Sequence, residues 1–468
     1  MSSHKTKRRS HKAQAKRSAR TKKNADSLSH LPPLSVAIDH LGDKGHGVVL
    51  PHAEHKFRIY VPHSLPGEKA VVQPKRKLPT GIEAEIISIS SSSRARKAPD
   101  CQAAPACGGC QFQHAELGFY HEWKEQRIKD KVEQAGIIPR QWLAPFRAEP
   151  FSRRRARFAF LRLANSTVFG FRERASHQIV PLSGCMILSK PILSAVEAIR
   201  AMLDQSLAAG LSGEVEVNQC DNGLDVVIIM KPELSGESIR QLVEHAVSTG
   251  IIRLSCHNGK LAPELLYQRQ LPALAWVMPS GAKRDVIMFH PPAGAFLQSV
   301  SAAEHIMRAD CYSALFSATR IIDLFSGSGS LGLALAMRPH PPKKLAAFDI
   351  SQSAITAFHD IARNIASDVS SRLMAEQRNL HDDPITEAEL SEYDAAILDP
   401  PRSGAKQQMQ PLVDASVSKI VMVSCHINSF IRDAAVLIEA GYICHWARHI
   451  DQFYLTSHSE CIAYFERP

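Results

Sequence analysis

Three stretches near the end of the chain bring together residue types that can do covalent chemistry. Lys419-Ile-Val-Met-Val-Ser424 reads as a short buried strand that delivers a thiol, Cys425, at its end. An earlier strand, Asp394-Ala-Ala-Ile-Leu-Asp399, ends on a carboxylate and runs into Pro400-Pro401-Arg402-Ser403-Gly404. The two prolines stop that strand and stiffen the backbone beside a ligand position. A third stretch, residues 451–465, carries Thr456, His458 and Glu460 ahead of an apolar run. A lone Cys at a strand end is usually a small buried hydrophobe. Cys425 differs because its strand should lie next to the Asp399–Arg402 loop, where a thiolate can act as a nucleophile. Glu460 stands between polar residues and a buried strand, where burial can raise a carboxylate into the range of a useful base.

A ligand site is expected at the same edge. Ile321-Ile-Asp-Leu-Phe-Ser-Gly327-Ser-Gly329-Ser-Leu-Gly332 is a short strand, a glycine-rich turn and the start of a helix. Asp349 ends the next strand, placed to accept both hydroxyls of a ribose. Taken alone, Gly327, Gly329 and Gly332 fit a dinucleotide fingerprint as well as a site for S-adenosylmethionine. Three features favour S-adenosylmethionine. The motif opens behind a large N-terminal region, Asp323 sits inside the first strand, and Asp-Pro-Pro-Arg follows the fourth.

The elements that must position these residues form an alternation of buried strands and helices from about residue 291. That pattern predicts an α/β doubly wound sheet, a Rossmann-like domain over 291–468. Residues 34–94 read as short strands and turns, including Leu65-Pro-Gly-Glu68, and predict a small β-barrel. Polar Ser88–Lys97 reads as a linker. Residues 95–290 mix strand and helix patterns, an α+β domain, with a helix expected over 115–136 from the spacing of Leu117, Tyr120, Trp123, Ile128 and Val132.

The net charge of +10 is carried by a tail: residues 1–24 hold ten Lys and Arg and no acid. Residues 1–30 are expected to be disordered, with a polyanion as the natural partner. No apolar run reaches the roughly 18 residues of a membrane span, and no signal peptide opens the chain. A cytoplasmic protein, monomeric and away from membranes, is expected. Ten cysteines in 468 residues do not make a disulfide scaffold. Cys101, Cys107, Cys110 and the later Cys185 could supply four soft sulfur ligands, which suit zinc or an iron–sulfur cluster.

The motifs Asp-Leu-Phe-x-Gly-x-Gly, Leu-Asp-Pro-Pro-Arg-x-Gly, Val-Ser-Cys and Thr-x-His-x-Glu stand here in the order of a known family. From residue 34 onward the chain resembles the uracil-C5 RNA methyltransferases. The resemblance implies methyl transfer from S-adenosylmethionine to uracil C5 through a Cys–C6 adduct. Cys425 would be the nucleophile and Glu460 the base that removes the C5 proton. Gln298, in Phe296-Leu-Gln, together with Phe325, Ser330, Asp349, Asn379 and Asp399, matches cofactor and uracil contacts, beside Gly327 and Gly329. Residues 34–94 look like a TRAM domain, an RNA-binding OB-like barrel. Cys101, Cys107, Cys110 and Cys185 look like the [4Fe–4S] site of the ribosomal RNA branch, which points to 23S rRNA ahead of tRNA. The family pattern is broken by His426-Ile427 where Asn-Pro is usual, by Leu455 where His is usual and by Ser459 where Val is usual. A catalytically impaired RNA-binding protein on the same fold, and an NAD-dependent enzyme, are the competing readings.

Overall fold

The computed structural model describes residues 27–182, 184–231, 233–259, 262–278 and 286–468. The basic tail before Ser27 lies outside the described residues. The chain divides into two units. The first runs to Asp100 and takes in Cys110–Tyr120 and Leu455–Ser457. The second holds Cys101–Gly109, His121–Tyr454 and His458–Pro468.

The first unit is built on a six-stranded sheet in the order Leu34–Ala37, Lys69–Leu78, Gly81–Ser91, Ile59–Val61, Gly47–Val49, His40–Leu41. Side chains alternate along Lys69–Leu78, so Ala70, Val72 and Pro74 point inward and their neighbours outward. Three register shifts in its pairing with Gly81–Ser91 bend the sheet over the core of Val36, Val49, Ile59, Val61 and Val72. Two expectations shift by a few residues. Ser27 bridges Arg76 and the Leu28 N–H donates to Lys75 O at 2.9 Å, so residues 27 and 28 pair with this sheet and 29–30 turn away from it, where a tail was expected. The expected linker from Ser88 begins inside the strand that ends at Ser91. Leu455, at the position where the family has His, contributes backbone: its carbonyl accepts from Gln111 N at 2.8 Å and Phe112 N at 3.1 Å.

The second unit contains two large sheets. One has seven strands in the order Ile179–Pro181, Thr167–Arg172, Arg155–Arg162, Ser212–Cys220, Gly223–Ile229, Ile251–His257, Glu264–Gln268. The helix Lys190–Ser206 packs on it through Ile192, Ala195, Val196, Ile199, Met202 and Leu203, a single apolar stripe. The other sheet is ordered Leu373–Gln377, Lys344–Asp349, Arg320–Leu324, Ala395–Leu398, Lys419–Ser424, Glu460–Glu466, Ile443–Asp451, with short Gln141–Trp142 at its edge. Its first five strands are parallel, and the four inside the edge strand Leu373–Gln377 are largely buried and apolar, as strands covered on both faces must be. Glu460–Glu466 enters antiparallel.

The chain lays down Arg320–Leu324 first, builds outward to Leu373–Gln377, then returns to the other side with Ala395–Leu398. The switch point lies between Arg320–Leu324 and Ala395–Leu398, and ligands of such sheets bind at the carboxyl ends of the strands there. The division at 290 expected from sequence is crossed by the core. Ile128, Val132 and Ile137 belong to the same apolar cluster as Ile322, Leu398 and Ile420. The helix Leu117–Gln134 and the strands Gln141–Trp142 and Phe146–Arg147 precede the central sheet in sequence yet lie against the C-terminal one. No described helix is long and apolar enough to cross a membrane.

Candidate active site

Antiparallel entry of the last strand is what brings two reactive groups to one edge. Ser424 pairs with Cys461, so Cys425 leaves its strand where Glu460 enters the next. Ile450 pairs with Glu460, so the strand Ile443–Asp451 also ends at this edge, followed by Gln452. Cys425 is half-buried, while Glu460 is 4% exposed. Burial first, then the charges of Glu460 and Asp399, push the Cys425 thiol up to about 11. Arg402 acts in the opposite sense. The helix Ile427–Glu439 starts two residues after Cys425, and its N-terminal dipole also favours a thiolate.

A chain of hydrogen bonds runs beneath these groups. Gln298 Nε2 donates to Asp399 Oδ2 at 3.2 Å. Gln452 Nε2 donates to Gln298 Oε1 at 2.8 Å and also to Glu460 Oε2. Gln452 Oε1 accepts from Val300 N at 3.2 Å, which sets the orientation of the amide. Burial, then the Asp399 charge, pushes Glu460 up to about 8, against the donation from Gln452. Gln452 was not among the residues expected from sequence. Its part depends on the strand order, which no local spacing displays.

The loop after Asp399 is anchored by a helix distant in sequence. Ala405 N donates to Asp433 Oδ2 at 2.7 Å, and Arg432 Nη2 donates to Ser403 O at 2.9 Å. Gly404 has φ +81°, and a Cβ there would stand 2.4 Å from Asp433 Oδ2. The His426-Ile427 departure falls on a helix start. His426 is the N-cap and Ile427 the first helical residue. The Ser424 and Ser429 hydroxyls both donate to His426 O, at 3.2 and 2.8 Å. The backbone path past Cys425 is thus set by serines and the helix, and does not require Asn-Pro.

At the switch point, Gly329 has φ +82°, and a Cβ would come 2.5 Å from the Phe358 ring. Phe325 follows its strand with φ +60°, its ring 5.6 Å from that of His381. Asp349 Oδ2 accepts from Gly327 N at 2.9 Å and Oδ1 from Ser351 N at 2.8 Å. Each oxygen keeps a lone pair for a ribose hydroxyl. Ser330 O accepts from Arg308 Nε at 2.8 Å. Asn379 is turned to its own loop, Nδ2 donating to Asp382 Oδ2 at 2.5 Å, and so is less available to a ligand than expected.

Electrostatics separates the two cofactor readings. Burial, then the Asp399 charge, pushes Asp323 up to about 8. Burial, then Asp349 and Glu304, pushes Asp399 up to about 7. A crevice whose carboxylates repel one another welcomes a cation and disfavours a pyrophosphate. S-adenosylmethionine, with its sulfonium and ammonium groups, fits such a crevice.

The four cysteines expected as sulfur ligands, Cys101, Cys107, Cys110 and Cys185, include three that sense one another electrostatically, Cys101, Cys107 and Cys185. Among the described residues no group of three or more His, Cys, Asp or Glu could hold a metal ion. The cysteine sulfurs have local partners: Gln113 Nε2 donates to Cys110 Sγ at 3.3 Å and Gly109 N to Cys107 Sγ at 3.4 Å. Burial pushes the Cys107 thiol up, with Cys185 and Cys101 adding to it.

Residues 282–468 match the tRNA (Uracil-5-)-methyltransferase family. An uncharacterised RNA methyltransferase of Rhizobium meliloti is 31% identical over 440 residues, 92% of this chain and 99% of that protein. A 23S rRNA (uracil(1939)-C(5))-methyltransferase of Shewanella baltica is 30% identical, covering 92% of this chain and 95% of its own. In fold, the chain is similar to the Pyrococcus abyssi tRNA (uracil-54, C5)-methyltransferase solved with S-adenosyl-L-homocysteine. The TM-score is 0.70 at 18% identity, over 92% of this chain and 100% of that one.

Proposed function

The chain belongs to the RNA uracil-C5 methyltransferase family, and from that premise we propose that Cys425 and Glu460 carry out its methyl transfer. The activity is S-adenosylmethionine-dependent methylation of uracil C5 in RNA. The observation that carries the residue roles is the pairing of Ser424 with Cys461, which brings thiol and carboxylate to one edge.

Uracil C5 is too weak a nucleophile to take a methyl group directly. The Cys425 thiolate adds to C6, and the electron pair of the C5–C6 double bond moves onto C5 and its carbonyl. When bound, S-adenosylmethionine supplies the electrophilic methyl that C5 accepts, and a cationic sulfonium. Glu460, ionised, then removes the C5 proton, the C5–C6 double bond re-forms and Cys425 leaves as thiolate. A carboxylate held near neutrality is a stronger base than an exposed one, which is what burial of Glu460 supplies. Gln298 and Gln452 hold the base and Asp399 in one frame. Asp349 and the Gly327–Gly329 turn seat the nucleoside end of the cofactor.

The RNA substrate is 23S rRNA. Relatives bearing that activity in their names cover almost their whole length in this chain, which supports the reading. The curled sheet over 34–91 serves as the RNA-binding TRAM domain. An iron–sulfur cluster on Cys101, Cys107, Cys110 and Cys185 is supported by the family resemblance of their motif; iron and sulfide analysis of protein purified without air tests it.

Incubation with 5-fluorouracil-containing 23S rRNA fragments and S-adenosylmethionine tests the central roles. Fluorine at C5 cannot leave as a proton, so a covalent complex is expected with the native chain. Cys425→Ala should form none. Glu460→Gln, with ordinary uracil RNA, should accumulate a methylated adduct. A complex formed by the Cys425 variant would show that another residue is the nucleophile.

A further inference from the structure

A cavity of about 540 Å³ is lined by Ser152, Arg154, Ser189, Lys190, Gln219 and Ser301 among others, and Cys425 is not on its lining. Two helices begin on it. Lys190–Ser206 has 17 residues and Ser301–Ala314 has 14, and neither N-terminus is capped by a side chain. The first turn of Lys190–Ser206 holds no acid. Uncapped N–H groups and the helix dipole make the start of Lys190–Ser206 attractive to an anion, whereas Ser301–Ala314 carries Glu304 in its first turn, paired with Arg154 at 3.0 Å. Ser189, at the N-cap, is 6% exposed and its hydroxyl has no hydrogen-bond partner. A buried hydroxyl left without a partner costs stability unless something fills its place.

The charges point the same way. Lys190 is exposed at the rim. Arg154 and Arg308 share one carboxylate, Glu304, at 3.0 and 3.4 Å, leaving one positive charge over. The lining also carries one acid, Asp221, which accepts from Ala275 N at 2.7 Å and sets one negative charge against Lys190 and the surplus arginine. Arg154 also ties the cavity to the chemistry. Its Nε donates to the backbone carbonyl of Gln298 at 3.0 Å, and the Gln298 side chain reaches Asp399 and Gln452.

We propose that this cavity holds a backbone phosphate of the RNA substrate, seated on the start of the helix Lys190–Ser206 and on Ser189 and Lys190. The proposal rests on the reading of the chain as an RNA methyltransferase. A phosphate held here fixes the strand relative to the Gln298 frame while the target base is turned out of its stack into the catalytic crevice. A phosphate contact positions and does not specify, so affinity changes without a change in which uracil is chosen.

The test is fluorescence anisotropy of the full chain with a labelled 23S rRNA hairpin, over a series of salt concentrations and without methyl donor. Lys190→Glu should weaken binding about tenfold and lower the slope of log K against log salt by about one. Ser189→Ala should weaken it about threefold, the loss of one neutral hydrogen bond. Lys190→Arg should bind as the native chain does. S-adenosylmethionine affinity should stay the same in all three, which shows that they are folded. Native affinity and native salt slope in Lys190→Glu would overturn the proposal. So would inorganic phosphate that stabilises the native chain but not Lys190→Glu while both bind RNA equally, since the cavity would then take free phosphate. Because no methylation is measured, the result stands apart from whether Cys425 is the nucleophile.

Discussion

The side-chain amide of Gln452 donates to the buried carboxylate of Glu460, and the same nitrogen donates to Gln298. Donation to a carboxylate favours its ionised form, so Gln452 opposes the burial that raises Glu460. Replacing Gln452 with Leu should move Glu460 further above about 8. Fewer molecules would then carry an ionised base at neutral pH. The rate of methyl transfer should fall about tenfold there and recover as pH rises. The pH–rate profile of Gln452→Leu beside the native chain measures this. A uniform loss at every pH would mean that Gln452 only packs.

The break in the family pattern at His426-Ile427 should be nearly harmless. Ile427 is the first residue of its helix, where an N–H has no intrahelical partner and proline is well accommodated. His426 has φ −142° and ψ 107°, an extended conformation that tolerates a following proline. Ile427→Pro should therefore stabilise the chain by about 0.4–1 kcal/mol by restricting the unfolded state. Denaturant unfolding reads this directly. Loss of stability would mean that the Ile427 side chain packs more tightly than its half-buried position suggests.

These two sites show what was legible in the sequence. Cys425, Asp399 and Asp349 each end a short apolar strand, and strands of a parallel sheet bring their carboxyl ends to one edge. Local pattern was enough to group them. Glu460 was legible because polar residues give way to an apolar run at its position. Gln452 and Asp433 were not, because each acts across strands or helices that only the fold makes neighbours. The placement of 128–147 against the C-terminal sheet escaped for the same reason. The cysteines mark the opposite case, where spacing suggested a four-sulfur site and, among the described residues, no group of three or more His, Cys, Asp or Glu could hold a metal ion.

Gly404 tests how tightly the Asp399–Arg402 loop must be held. Its φ of +81° is strained for any other residue, and a Cβ would press on Asp433 Oδ2 at 2.4 Å and Ser429 Cβ at 2.9 Å. Asp433 holds the loop through Ala405 N, so it cannot yield without releasing it. Gly404→Ala should cost about 1–3 kcal/mol. It should also weaken S-adenosylmethionine binding, since Asp399 begins the loop. Calorimetry and denaturant unfolding on the same sample separate the two losses. Unchanged cofactor affinity in a destabilised variant would show that the loop is held for the fold alone.

The buried carboxylates make the stability of the ligand-free chain depend on pH in a definite direction. Asp399 stands at about 7, and Asp323 and Glu460 at about 8, all above their ordinary values of 3.8, 3.8 and 4.5. A carboxylate raised by folding contributes most stability while it is protonated in both states, below its unfolded value. That contribution is lost as pH rises through the folded value. The free chain should thus unfold more easily at about pH 9 than at about pH 6. A sulfonium in the crevice favours the ionised carboxylates, so it offsets the loss where they are ionised. The gain in Tm from S-adenosylmethionine should then exceed that from S-adenosylhomocysteine, whose sulfur is neutral, and the difference should widen with pH. Thermal unfolding with each ligand at the two pH values measures it. A difference that stays constant would mean that the repulsion among Asp323, Asp399 and Glu460 does not select the charged cofactor.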